Sequence, residues 1–143
     1  MNQRLRDILR HLKCQPGASE AALQKLADGL GTELPLDYME FLGLTDGADG
    51  FYGYGYWLLH STEEVRDLTK LSGAQEFAPG LVLIASDGGG IAFGIDTRCG
   101  IPAQMEYVEM DLIGLDWNEV FARKPTLVEL FEYRFNAPAI TGE

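Results

Sequence analysis

The first third of the chain repeats apolar residues at the spacing of an α-helix, with a break after each repeat. The first repeat stops before Pro16-Gly17, a pair that ends helices. Ser19 is a typical N-cap for the second repeat, and Pro35 suits the first turn of the third. The pattern therefore predicts three consecutive amphipathic helices. Their predicted inward-facing residues are Leu5, Ile8, Leu9 and Leu12; Ala22, Leu23, Leu26, Ala27 and Leu30; and Leu34, Tyr38, Phe41, Leu42 and Thr45.

The pattern then changes to glycines and aromatic residues followed by short apolar runs. Residues 50–59 pass from a glycine-spaced aromatic segment into a strand, and we predict that Trp57, Leu58 and Leu59 lie in the core. Two apolar runs joined by a glycine-rich turn are typical of a β-hairpin, and a third strand follows the next turn. These three predicted strands are Leu81–Ala85, Ile91–Ile95 and Ala103–Val108.

Two capping boxes place helices before and after these strands. Ser61-x-x-Glu64 begins a fourth helix, and Thr126-x-x-Glu129 begins the last helix. This order of elements lacks the strict alternation of strand and helix that a parallel sheet requires. We therefore expect an α+β fold, a single domain in which helices pack against an antiparallel β-sheet.

The composition agrees with one folded domain. The chain has 143 residues, of which 46% are hydrophobic and 23% charged, as in ordinary globular proteins. We predict a basic helical segment at 1–17, the α+β domain at 18–135 and a C-terminal tail at 136–143. No apolar run approaches the roughly 18 residues of a membrane span, and the N-terminal segment lacks the apolar stretch of a signal peptide. We therefore expect a cytoplasmic protein with no membrane partner.

The charge is acidic and unevenly distributed. The net charge of −11 argues against a nucleic-acid partner, because phosphate binding needs clustered positive charge. The first thirteen residues carry four bases and one acid, whereas no Lys or Arg lies between Lys25 and Arg66 or between Arg98 and Arg123. Such an acidic surface keeps a protein soluble, or it attracts a basic partner through its long-range field. The sequence leaves both interpretations open.

Residue types used in catalysis and metal binding do not converge in the sequence. Cys14 and Cys99 form no CxxC pair, and the two histidines, His11 and His60, lack a recognisable third orienting group. The glycine run 88–90 precedes a strand, which favours a hairpin turn over a phosphate-binding loop. We therefore expect a protein that is not an enzyme, with no catalytic residue, no metal and no cofactor.

The aromatic segment is the most informative candidate for binding. Tyr52, Tyr54 and Tyr56 alternate with glycines, so in an extended chain they point to one side. That side is either the face packed on the core or an adaptable binding surface next to Asp46 and Asp49. Tyrosine suits the second role because it buries a large area at little entropic cost and carries a polar tip.

Residues 34–42 read Leu-Pro-Leu-Asp-Tyr-Met-Glu-Phe-Leu and are followed by Asp46-Gly47. This stretch resembles the LP-x-[DE]-Y-x-x-F-L … NG opening of the SUKH superfamily (SMI/KNR type). The glycine-rich hairpin 83–96 and the late helix around Leu127 and Phe131 are similar to later elements of that family. The resemblance covers about residues 18–135 and implies an α+β fold.

For most bacterial members, the resemblance also implies an immunity protein that binds and neutralises a cognate polymorphic or contact-dependent toxin. The leading hypothesis is therefore a non-enzymatic immunity protein that occludes a basic, nuclease-type toxin domain. The alternative, implied by eukaryotic relatives, is a regulatory protein-interaction domain of cell-wall synthesis or signalling, with no toxin partner. The residues predicted to contact the partner are Asp46, Asp49, Phe51, Tyr52, Tyr54 and Tyr56, with Glu33, Asp37 and Glu40 as charges at the rim.

Overall fold

A seven-stranded antiparallel sheet forms the centre of the fold, and its strands lie side by side in chain order. The computed structural model describes residues 2–136. The predicted tail 136–143 lies outside this range except for Asn136. The strands are β1 (Lys13–Cys14), β2 (Ala48–Tyr52), β3 (Gly55–Leu59), β4 (Leu81–Ser86), β5 (Ile91–Asp96), β6 (Glu106–Asp111) and β7 (Val120–Lys124). The α+β fold with an antiparallel sheet is thereby confirmed.

Six α-helices accompany the sheet in the described part of the chain. They are α1 (Gln3–Leu9), α2 (Glu20–Leu30), α3 (Leu36–Leu44), α4 (Thr62–Leu71), α5 (Ala74–Phe77) and α6 (Leu127–Asn136). Ser19 caps α2 by accepting a hydrogen bond from the backbone of Ala22, as predicted. Ser61 and Glu64 make both bonds of a capping box at the start of α4. None of the described helices is long and apolar enough to cross a membrane.

Two hydrophobic cores lie on opposite faces of the sheet, because successive strand residues point to opposite sides. The main core joins the inner face to α1, α2, α3, α4 and α6, with the Trp57 ring centroid 4.4 Å from that of Phe93 and 4.7 Å from that of Phe131. The second core joins α5 and the segment around Leu115 to the outer face of β4, β5 and β6. The outer face of β2 and β3 belongs to neither core.

The N-terminal basic segment packs into the same main core as the rest of the chain. Leu5, Ile8 and Leu9 of α1 are buried there, and α1 contacts α6. The helix therefore shares its apolar face with the domain while its basic residues face outward.

The structure corrects two predictions about strands. The strand predicted at Ala103–Val108 begins later, because Pro102–Gln104 forms a 3₁₀ turn. Leu58 does not lie in the core, since the alternation along β3 turns Trp57 and Leu59 inward and Leu58 outward. β1, β2, β7 and α5 were not predicted from the sequence.

Candidate protein-binding interface

A tight turn, and not an extended chain, sets the positions of the three tyrosines. β2 and β3 are joined by Gly53 and Tyr54, and Tyr52 is paired with Gly55 across the hairpin. Gly53 has a φ of +60°, the left-handed region that the first position of such a turn requires. The chain reverses here, so the three tyrosines do not share a side.

Tyr52 belongs to the core, whereas the other two tyrosines face solvent to different degrees. The Tyr52 side chain is 8% exposed, and its ring centroid lies 4.6 Å from that of Phe135. Tyr54 is 64% exposed at the tip of the turn. Tyr56 is half-buried and points outward from β3. Burial of Tyr52 leaves little of its ring for a partner, which removes it from the candidate interface.

An aromatic pair occupies the outward side of the same two strands. Phe51 of β2 is paired with Tyr56 of β3, and their ring centroids are 4.8 Å apart at an interplanar angle of 65°. Phe51 is nevertheless 64% exposed. Asp49 and Leu58 form the next outward pair along the hairpin. We refer to Asp49, Phe51, Tyr56 and Leu58 as the β2–β3 outer face.

The glycine-rich turn between β4 and β5 borders this face. A Cβ atom at Gly88 would lie 3.4 Å from the Tyr56 ring and 3.7 Å from the Leu58 side chain. Gly88 also has a φ of +80°, so a side chain here would strain the backbone. The sequence indicated the turn but not its contact with Tyr56, because the contact depends on how β3 and β4 are aligned.

Acidic groups line a groove beside the β2–β3 outer face. The groove has a volume of about 410 Å³, and Asp46, Asp49 and Glu64 supply its acidic side chains. No Lys or Arg within residues 2–136 lines it. His60 also borders the groove; its burial lowers its pKa, and the nearby Glu64 carboxylate opposes part of that shift. The groove therefore presents mainly negative charge at neutral pH.

Three of the predicted contact acids are held by hydrogen bonds inside the protein. Asp46 accepts from the backbone N–H of Thr62 at 2.7 Å and so satisfies the first N–H of α4. Glu40 accepts from the backbone N–H of Asn2 at 2.7 Å.

Asp37 accepts from the Tyr107 hydroxyl at 2.6 Å and from the backbone N–H of Leu127 at 2.9 Å. Its carboxylate thereby joins α3 to β6 and to the start of α6. Sequence reasoning missed these structural roles, because the donors lie up to 90 positions away along the chain.

The predicted rim charges also lie away from the aromatic pair. Asp37 contacts the beginning of β6, and the beginning of β6 is paired with the end of β5. Gly88, which borders the aromatic pair, lies at the opposite end of β5, just before that strand begins. Glu33 lines a separate pocket with Asp37. The nine predicted residues therefore do not form one surface. Asp49, Phe51 and Tyr56 come together on the outer face, with Tyr54 at the adjoining tip.

The reactive residue types are dispersed over the described part of the chain. Cys14 and Cys99 are free and exposed. Residues 2–136 contain no group of three or more His, Cys, Asp or Glu side chains placed to hold a metal ion. The Glu109–Arg134 ion pair, at 3.1 Å, is buried between β6 and α6. The β2–β3 outer face thus offers aromatic, apolar and acidic groups, the chemistry of a contact surface.

The structure is a small α+β domain whose sheet carries an outward-facing aromatic pair beside an acidic groove. The sequence model of the SMI1 / KNR4 family (SUKH-1) matches residues 17–132. The chain belongs to this family, which confirms the resemblance drawn from the Leu34–Leu42 motif and its flanking elements. Family members are generally non-catalytic immunity or regulatory domains. A comparison with curated proteins gave no match.

Proposed function

We propose that the chain is a non-enzymatic, cytoplasmic immunity protein that binds and neutralises a cognate toxin domain, and that this toxin domain is a basic nuclease. The observation that carries the proposal is the outward-facing pair of the exposed Phe51 and the half-buried Tyr56 beside Asp49, on a part of the sheet that neither core covers. Membership of the SMI1 / KNR4 family supports a role of the immunity-protein type.

The β2–β3 outer face supports a binding mechanism in two stages. The net charge of −11 and the acidic groove raise the rate at which a basic partner approaches. Phe51 and Tyr56 then bury their rings against the partner, since central aromatic residues supply most of the energy of such interfaces. The carboxylate of Asp49 pairs with a phosphate-binding Lys or Arg of the toxin. The bound protein thereby occludes the active site of the toxin without any covalent step.

Titration of the purified protein into the toxin-like C-terminal domain encoded by the neighbouring gene tests the proposal. We expect nanomolar binding at low salt that weakens at high salt, because steering by exposed charges is screened. Absence of binding at both salt concentrations would contradict this pairing. An unbiased pull-down would then test the alternative, a regulatory partner that is not a toxin.

Alanine variants locate the contact surface. Phe51→Ala and Tyr54→Ala should each weaken toxin binding by at least ~2 kcal/mol, or about 30-fold, where the ring is an anchor. Both side chains are 64% exposed, so both variants should fold normally. Phe77→Ala on α5 is the matched control, because Phe77 is 63% exposed but lies outside the β2–β3 outer face. Equal losses in all three variants would contradict the proposed location of the interface.

A further inference from the structure

A second pocket lies at the other end of the sheet, where β6 begins and β7 ends. Its volume is about 620 Å³, within the range of about 300–1,000 Å³ that is usual for binding pockets. Four parts of the chain form its walls: Asn2, residues 33–37, residues 101–103 with Met105, and Pro125-Thr126. None of these residues belongs to the β2–β3 outer face.

The walls of this pocket are held in place from several sides. Pro35, Pro102 and Pro125 each line it, and their rings fix the backbone where the walls bend. Asp37 binds the hydroxyl of Tyr107 and the backbone N–H of Leu127, which ties α3 to β6 and α6. A pocket built in this way is largely formed before a partner arrives, so binding costs little ordering entropy.

The lining is apolar apart from a few groups at the mouth. Leu36 is 85% exposed and Ile101 is 47% exposed, so two aliphatic side chains of the lining are accessible to a partner. Among the described residues of the lining, Glu33 and Asp37 carry charged side chains. Asp37 is satisfied by its two donors, whereas the exposed Glu33 carboxylate has no side-chain partner among residues 2–136. The pocket thus combines an apolar cavity with one unpaired negative charge.

We propose that this pocket is a second protein-docking site, which takes an apolar side chain flanked by Lys or Arg from a segment of a basic partner. Charge complementarity selects this partner, since Glu33 is available to the flanking base and none of the described lining residues is a Lys or Arg. A second copy of the chain is disfavoured, because it would bring two such acidic mouths and two molecules of net charge −11 together. The proposal does not depend on the toxin hypothesis.

Short peptides test the chemistry of the pocket on the full chain. The probe is acetylated, amidated Arg-Trp-Arg; the controls are Glu-Trp-Glu and Arg-Ala-Arg, which lack the base and the apolar group respectively. In a titration followed by amide resonances, Arg-Trp-Arg should saturably shift residues 33–37 and 101–105, and each control should bind at least fivefold more weakly. Equal binding of all three peptides, or shifts confined to other residues, would overturn the proposal.

Variants of the lining test its location. Ala103→Trp fills the cavity from an exposed position, and Glu33→Lys reverses the charge at the mouth. Each should weaken Arg-Trp-Arg binding at least tenfold, whereas Ala21→Trp, at an exposed alanine on α2, should leave it unchanged. Undiminished peptide binding in Glu33→Lys would contradict the assignment. Ala103→Trp should also leave toxin binding unchanged; a loss there would show that the two surfaces form one site.

Discussion

Asp37 connects three elements through one carboxylate, so its replacement should be costly. Asp37→Ala removes the acceptor for the Leu127 N–H and for the Tyr107 hydroxyl, which is buried. Burial, together with the charge of Asp37, raises the pKa of Tyr107, so that hydroxyl stays protonated and needs an acceptor.

We expect Asp37→Ala to lower the free energy of unfolding by about 2–4 kcal/mol, measured by urea denaturation. Glu33→Ala, which removes a nearby exposed carboxylate, should change it by less than about 0.5 kcal/mol. Equal effects of the two substitutions would contradict the structural role of Asp37.

His60 should make stability depend on pH in one defined interval. Burial lowers its pKa below the ordinary value of 6.5, with Glu64 opposing part of the shift. Between 6.5 and this lowered pKa the unfolded chain binds more protons than the folded chain, so the free energy of unfolding falls as the pH falls. His60→Gln should make this loss smaller between pH 7 and pH 5.5 in denaturation experiments. An unchanged pH profile in that variant would exclude His60 as the cause.

At the scale of elements, α4 lies beside the first half of β4, on the edge that β3 leaves unpaired there. β3 pairs with β4 only near its end, at Ala85 and Ser86. The backbone N–H of Leu83, which lies before that pairing, donates to the Thr69 hydroxyl of α4 at 3.0 Å. One side chain thereby satisfies a strand donor that would otherwise be buried without a partner.

Thr69→Val should therefore lower the free energy of unfolding by about 1–3 kcal/mol, although the two side chains have nearly the same shape. Thr69 is buried, and valine offers no acceptor for Leu83. Thr32→Val is the control, because the Thr32 hydroxyl bonds only an exposed carbonyl. Thermal or urea unfolding measures both variants. A Thr69→Val protein as stable as the control would show that water replaces the lost acceptor.

Elements whose signals are local were predictable from the sequence. The capping residues Ser19, Ser61 and Glu64 make the predicted bonds, because a cap involves residues only three positions apart. β7 was missed because its alternating residues are partly charged and lack a continuous apolar face. The start of β6 was misplaced because the 3₁₀ turn at Pro102–Gln104 has no distinct sequence pattern.

The sequence indicated which segment carries the candidate site, but not which of its side chains share a surface. A Tyr-Gly-Tyr-Gly-Tyr sequence offers two glycines for a turn, and the choice of Gly53 decides which tyrosines face outward. The internal bonds of Asp37 and Asp46 depend on packing between distant elements, which no local pattern encodes. Leu58 could have been placed outward from the period-two alternation next to Trp57.

At the scale of the whole molecule, the two faces of the sheet differ in what covers them. The inner face is covered by the five helices α1, α2, α3, α4 and α6, whereas the second core covers the outer face over β4, β5 and β6. The uncovered part carries the aromatic pair and adjoins the acidic groove. The residues that stabilise the fold and the proposed binding surface therefore lie on different parts of one sheet, and we expect exposed residues of β2 and β3 to tolerate substitution with little cost to the core.

Two charge variants distinguish the long-range electrostatic field of the protein from a direct contact made by Asp49. Asp49→Asn and Glu20→Gln change the net charge equally, but only Asp49 lies on the β2–β3 outer face; Glu20 is exposed at the start of α2. If Asp49 pairs directly with a base of the toxin domain, Asp49→Asn should slow association about fivefold at low salt and flatten the salt dependence of the rate. Glu20→Gln should change the rate by less than about twofold. Stopped-flow association at several salt concentrations measures both. Equal effects would mean that the acidic field acts as a whole and that Asp49 makes no specific contact.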